Sequence, residues 1–238
     1  MIKVGLIGCG KIGQVRHLPE YAANPDCTIP ALYDINLDRA KELAEKYGAT
    51  AYESVEALLA SDVEAVSVCS SNTSHAEITI AALKAGKHVL CEKPMATTLA
   101  DCEAMVEAAK AAGKRLMIGQ NQRLAGAHQK AKELIDAGAI GNVLTFKTAF
   151  CHGGPETWSV DPGLNTWFFD KKRAAMGAMA DLGVHKTDLL QYLTGQTITE
   201  VSAMLSVLDK KFADGSAITV DDNAFVIYKM SGGAMGTM

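Results

Sequence analysis

Residues 3–13 read KVGLIGCGKIG. An apolar strand runs into Gly8, Gly10 and Gly13, spaced as G-x-G-x-x-G, and a helical pattern follows to about residue 23. The spacing gains meaning from its setting, after a strand and at the opening of a helix. Gly8 allows a tight turn. Gly10 lets the backbone approach a pyrophosphate, whose charge meets free N–H groups at the helix start, and Gly13 lets helix and strand pack closely. Asp34 closes the second strand, 21 residues after Gly13, where an acid grips an adenosine ribose diol. The same acid repels a 2′-phosphate, so the pattern favours NAD, while Arg39 close by keeps NADP open. Lys11 and Ile12, inside the glycine loop, join the cofactor-binding set.

Working outward, further apolar strands are predicted at 28–34, 64–69, 87–91 and 115–119, with helices at about 12–23, 37–47, 54–60, 74–85 and 97–112. Strand–helix alternation without a clean polar period predicts an α/β domain over 1–122, a doubly wound parallel sheet covered on both faces. After residue 122 the pattern changes. A helix at 126–137 ends in AGAIG. NVLTFKTAF then alternates, with Leu144, Phe146 and Phe150 on one face, and strands at 199–208 and 223–230 do the same after a helix at about 177–194. This predicts an α+β domain over 123–238, built on a mostly antiparallel open sheet with one covered face. The final YKMSGGAMGTM reads as a strand, a glycine turn and a returning strand. A hairpin with an open edge is a poor place to finish a domain, so the second domain is expected to be truncated at its C-terminus.

The 238 residues are 48% hydrophobic and 21% charged, with net charge −4, and carry no Lys/Arg run, which argues against nucleic acid as a partner. No membrane span or cleavable leader is expected, and the protein is expected in the cytoplasm. Cys9, Cys27, Cys69, Cys91, Cys102 and Cys151 are scattered with no C-x-x-C pair, so no metal site is expected.

Residues 87–96 read KHVLCEKPMA, an interior strand that ends in charges. In open α/β sheets ligands bind at the carboxyl ends of strands, on the rim that carries the glycine loop. Lys93 there either donates to a reacting hydroxyl and stabilises charge on its oxygen, or is a surface lysine in a proline turn. A cis Lys93–Pro94 bond is one way to aim it. In GAMADLGVHKTDLLQYLTG, Asp181, His185 and Asp188 form one helical stripe, and Leu182, Leu189 and Leu193 a neighbouring apolar one. His185 suits a general base and Asp181 can raise its basicity. A satisfied histidine on a half-buried helix is the competing reading. Gly183 inside that helix implies a close approach.

These stretches together resemble the Gfo/Idh/MocA family of glucose–fructose oxidoreductase and inositol dehydrogenase. The likeness is carried by the glycine loop, SNTSHAEITIAALKAGKHVLCEKPMA at 71–96 and DLGVHKTDLL at 181–190. The resemblance implies a Rossmann domain, an NAD(P)-dependent dehydrogenase acting on a CH–OH group of a sugar, cyclitol or polyol, and homo-oligomers, dimer or tetramer. It implies that Lys93 is catalytic and contacts substrate and cofactor, that Glu92 lies by the nicotinamide ribose, and that Asp181 and His185 are the substrate-side pair, His185 accepting the proton. Asn72 and His75, in N-x-x-H, and Ser70 before them are implied near the cofactor, and Arg123 in GQNQRL at the domain junction by the substrate. Where many members carry a Gly-Gly-Gly run, this chain has AMGAM and keeps only Gly177. In CHGGPETWSVDPGLNTWFFD, His152 or Glu156 is expected to meet hydroxyls. Trp158 or Trp167 is a candidate to stack on a sugar, although the cluster of Trp167 with Phe168 and Phe169 is favoured as packing. A nucleotide-binding sugar sensor of the same fold is the alternative function; such a protein is expected to lack Lys93 or His185, and this chain has both.

Overall fold

A computed structural model describes residues 1–238. The chain forms two units, Met1–Gly119 with Pro155–Pro162, and Gln120–Gly154 with Gly163–Met238. The division thus falls just before the expected residue 123, and an eight-residue excursion that no change of composition marks belongs with the first unit.

In the first unit, β1 (Ile2–Ile7) leads to a helix that opens with a π-helical stretch, Gly13–His17, and continues as α1 (Leu18–Ala23). Then come β2 (Cys27–Tyr33), α2 (Leu37–Tyr47), β3 (Thr50–Ala51), α3 (Val55–Leu59), β4 (Ala65–Val68), α4 (His75–Lys84), β5 (His88–Cys91), α5 (Leu99–Ala112) and β6 (Leu116–Ile118). The helices start and stop where local chemistry dictates. Asn36 and Thr98 accept the N–H groups of Arg39 and Asp101 at the starts of α2 and α5, while Gly48 and Gly113 end them at φ 66° and 63°. The strands form a parallel sheet in the order β3-β2-β1-β4-β5-β6. Successive strand residues enter opposite cores: Leu6 and Leu32 pack with Leu18 and Leu43, whereas Ile7 and Ala31 pack with Leu58, Leu83 and Met105. That is why the strands read as unbroken apolar runs. The two-residue β3 is too short to show in the sequence.

The second unit has α6 (Gly126–Asp136) and β7 (Thr145–Lys147). The excursion back to the first unit holds α7 (Pro155–Trp158). Then follow α8 (Lys171–Ala174), a π-helical stretch at Met179–Gly183, α9 (Val184–Thr194), β8 (Ile198–Ser206), β9 (Asn223–Met230) and β10 (Met235–Thr237). The sheet order is β7-β10-β9-β8, antiparallel except where β10 meets β7. Val226 and Tyr228 bury against Leu190 of α9, while Phe225 and Ile227, on the other face of the same strand, are exposed. The expected one-sided covering therefore holds. The strand expected across NVLTFKTAF shrinks to three residues, because β10 offers only Met235–Thr237 to pair with it.

Candidate active site

The register of the first sheet sets the geometry of its rim. Ile7 pairs with Tyr33 and with Val68, Val68 with Cys91, and Cys91 with Ile118. The ladder runs one residue further: Gly8 N–H donates to Tyr33 O, Cys69 to Ile7 O, Glu92 to Val68 O and Gly119 to Cys91 O. The strands end in one transverse row. Gly8, Asp34 and Glu92 follow directly and Ser70 comes one residue later, after Cys69, so residues scattered over the first half of the sequence share one edge.

The glycine loop fits a dinucleotide. Gly8 adopts φ +101°, and a Cβ on it would lie 2.5 Å from the Cys69 carbonyl carbon. A Cβ on Gly13 would lie 2.9 Å from Gly8 O, the close packing the spacing implies. Around Gly10 the space is open, with nothing within 4 Å of a Cβ position, as approach of a pyrophosphate requires. Lys11 is exposed and Ile12 packs on the core around Leu6. Cys9 between the glycines is inert: burial, with the charge of Asp34, pushes its thiol up to about 12. Asp34 is buried, and its Oδ2 accepts the Cys9 N–H at 2.7 Å and Oδ1 the Asn36 N–H at 2.8 Å. The acid thereby clamps the loop and keeps acceptor capacity for a diol. Arg39 stands 3.6 Å from Asp34 and donates to both oxygens of Asp161, in the excursion, at 2.6 and 2.7 Å.

At the end of β5 the Lys93–Pro94 bond is cis, which the sequence raised without deciding. The loop is braced from beneath. Fully buried His75 places Nδ1 2.7 Å from Pro94 O and Nε2 3.1 Å from Ser70 O. Desolvation lowers the pKa of this imidazole against the pull of the two carbonyls, and in its neutral form one ring N–H donates to one of them. Glu92 is held by His17, whose Nε2 lies 2.9 Å from Glu92 Oε1, and Glu92 Oε2 accepts the Lys93 N–H at 3.1 Å. Burial pushes the Glu92 carboxyl up, but the hydrogen bond and charge of His17, with Lys93, hold it below the usual carboxylate range. Gly119 leaves this carboxylate its room, since a Cβ there would stand 3.1 Å from Oε2. Lys93 is half-buried above these braces, and Asn72 is buried in the turn before α4.

In the second unit, the π-helical stretch carries Asp181 and runs straight into α9, which carries His185 and Asp188. Asp181 and His185 are four residues apart across the junction of the two stretches, about one turn along the helix. His185 is buried with its ring 5.9 Å from that of Phe150, and His152 Nε2 stands 3.5 Å from Asp181 Oδ2. The start of this helix hangs on Asp221. Its Oδ1 and Oδ2 accept the N–H groups of Gly177 and Met179, each at 2.8 Å, and its carbonyl accepts that of Ala178 at 2.8 Å.

Two family models together match most of the chain. An oxidoreductase family with an NAD-binding Rossmann fold matches residues 2–120, and the matching C-terminal domain model covers residues 128–238. The chain belongs to the Gfo/Idh/MocA family. Among curated members, myo-inositol 2-dehydrogenase of Thermotoga maritima is 33% identical over the whole chain and 67% of its own length. Levoglucosan dehydrogenase of Pseudarthrobacter phenanthrenivorans is 32% identical over the whole chain and 66% of its own. A levoglucosan dehydrogenase solved in complex with NADH and levoglucosan superposes with TM-score 0.83 at 30% identity, over 99% of this chain and 65% of that one. The chain thus spans about two thirds of the length of the Gfo/Idh/MocA proteins it matches.

Among the remaining residues the resemblance points to, Arg123 is committed to α9. Its Nε donates to Asp188 Oδ2 at 2.7 Å, Nη2 pairs with Oδ1, and its guanidinium lies 5.3 Å from the Tyr192 ring centroid. Trp167 stacks on Phe168 at 3.9 Å and packs beside Phe169, Ile218 and Val220, as the packing alternative expects. Gly183 meets the Met179 Sδ, which would lie 2.5 Å from a Cβ, so its close approach is to a flexible side chain. Gly177 is different, because a Cβ there would stand 1.8 Å from Asp221 O. The one glycine this member keeps from the family's run is the one its backbone requires. Sequence reasoning missed His17, Asp221 and Phe150. His17 lies 75 positions from Glu92 and Asp221 lies 44 from Gly177, and no local pattern joins either pair.

Proposed function

We propose that this chain forms the cofactor- and substrate-binding part of an NAD-dependent dehydrogenase that oxidises a secondary hydroxyl of a sugar, cyclitol or related polyol. The observation that carries the reading is the single rim on which an open glycine loop, a buried ribose-side acid and the braced Lys93 follow one another. NAD, when bound, supplies the hydride acceptor. Gly8, Gly10 and Gly13 would hold its pyrophosphate, Asp34 its adenosine ribose, and Glu92, Asn72 and Ser70 the nicotinamide side. His185 would take the proton of the reacting hydroxyl with Asp181 raising its basicity, and Lys93 would stabilise the developing charge on the oxygen. His75 acts as a strut under Pro94, and Arg123 fixes α9 through Asp188. The buried, desolvated setting of His185 strengthens whatever electrostatics act there.

The relatives named above act on myo-inositol and levoglucosan, and other curated relatives on glucosides and glucose 6-phosphate, which supports the substrate class. No helix is long and apolar enough to cross a membrane. The reading includes a cytoplasmic location and assembly with further copies through the exposed face that carries Met204, Phe225 and Ile227. The test is NADH absorbance with a panel of cyclitols, aldoses and anhydrosugars. At least one substrate is expected to give turnover. Silence across the panel with NAD binding intact would overturn the enzyme reading in favour of a sensor.

A further inference from the structure

We propose that Asp161 sets the choice between NAD and NADP by holding Arg39 out of reach of a 2′-phosphate. The inference rests on the dinucleotide reading of the glycine loop and adds a residue that no motif contains. Arg39 lies in the first turn of α2, five residues after Asp34, and in NADP-dependent Rossmann proteins an arginine near that acid accommodates the 2′-phosphate. Here its guanidinium is already spent. Nη2 donates to both oxygens of Asp161, at 2.6 and 2.7 Å, and Nη1 faces Asp34 Oδ1 at 3.6 Å.

The charge count decides the outcome. Two carboxylates surround one guanidinium, so the pocket is net negative by one where the 2′-substituent would arrive. A ribose diol is neutral and meets this without cost. A 2′-phosphate carries about −1.5 to −2 charge and has to displace Asp161 before it gains a partner. The two partners also differ in burial. The Arg39 side chain is 16% exposed, held within the unit, whereas that of Asp161 is 74% exposed. The arginine cannot swing to water for relief, but the aspartate can be removed at little structural cost. Asp161 sits in the eight-residue excursion, Pro155–Pro162, whose turn is fixed by Ser159 Oγ donating to Asp161 O at 2.8 Å. The discriminating residue therefore lies 122 positions from the arginine it controls.

The test is equilibrium titration of the 238-residue chain with NADH and with NADPH, followed by tryptophan fluorescence quenching and by calorimetry. In Asp161→Asn the ratio of Kd for NADPH to Kd for NADH is expected to fall about fivefold, the size of one ion pair with an exposed partner. Asp161→Ala is expected to give the same fall and covers a failure of the first variant to fold. In the double variant Arg39→Ala with Asp161→Asn the fall is expected to vanish, because no cation is left to release. An unchanged ratio in both single variants, or a fall that persists without Arg39, would overturn the proposal while leaving the dinucleotide reading in place. Binding of neither nucleotide by the unaltered chain would overturn both.

Discussion

In the first unit, the candidate residues follow directly on strand ends that a continuous parallel register lines up. In the second, Asp181 and His185 ride on a helix whose start is fixed by one carboxylate, Asp221, reaching across from the turn before β9. The helices that follow the glycine loop and carry Asp181 both open with a π-helical stretch, Gly13–His17 and Met179–Gly183, and in both the wider turn carries a polar residue, His17 or Asp181. The supports differ. A sheet edge distributes its load over several ladders, so losing one side chain leaves the row intact. A helix start hung on one residue has no such redundancy. The second site should therefore be the more fragile in folding.

The largest expected effects lie in turnover. Lys93→Met and His185→Ala should each lower kcat with the best substrate by at least about 10², with NADH binding retained in Lys93→Met. Near-normal turnover in purified Lys93→Met would remove this lysine from the chemistry. Next comes folding of the second unit. Gly177→Ala places a methyl against the Asp221 carbonyl and should cost about 3 kcal/mol in urea denaturation, with the loss confined to the transition that reports the second unit. A loss below about 0.5 kcal/mol would mean the helix start is less singly held than its geometry implies.

His17→Ala probes the first unit in the same way. The folded Glu92 carboxyl lies below its ordinary value of 4.5, so its contribution to stability is present above pH 4.5 and is lost as pH falls through the lower folded value. Without His17 burial prevails, the carboxyl rises, and the acid limb of the stability curve should move to higher pH. At pH 7 the variant should lose about 2 kcal/mol, a gap that narrows once Glu92 is protonated. An acid limb that does not move would show that His17 does not hold the carboxylate. The smallest effect concerns Ala175, which adopts φ 65° just before the Asp221-held segment. Ala175→Gly should stabilise the second unit by about 1 kcal/mol in the same urea experiment.

The glycine loop, Asp34 and the E-K-P loop were legible because each is a contiguous motif at a strand end, where fold rules alone give the position of a ligand. The one-turn spacing of Asp181 and His185 was legible from helical periodicity, although the π-turn was not, since nothing in MADLG distinguishes an i→i+5 turn from an i→i+4 one. His75 was legible as a site residue, but its task as a strut beneath Pro94 was not.

The sequence by itself therefore determined the architecture, the cofactor class and the residues to mutate first. Periodicity, glycine spacing and helix signals act over a few neighbours and survive in one dimension. Tertiary structure alone decided which groups hold those residues in place: His17 beneath Glu92, Asp221 on Gly177, and Asp161 on Arg39. Each of these pairs is a hydrogen bond or ion pair between residues far apart in the chain. Such a bond depends on the meeting of two surfaces, and that meeting leaves no mark on either local stretch.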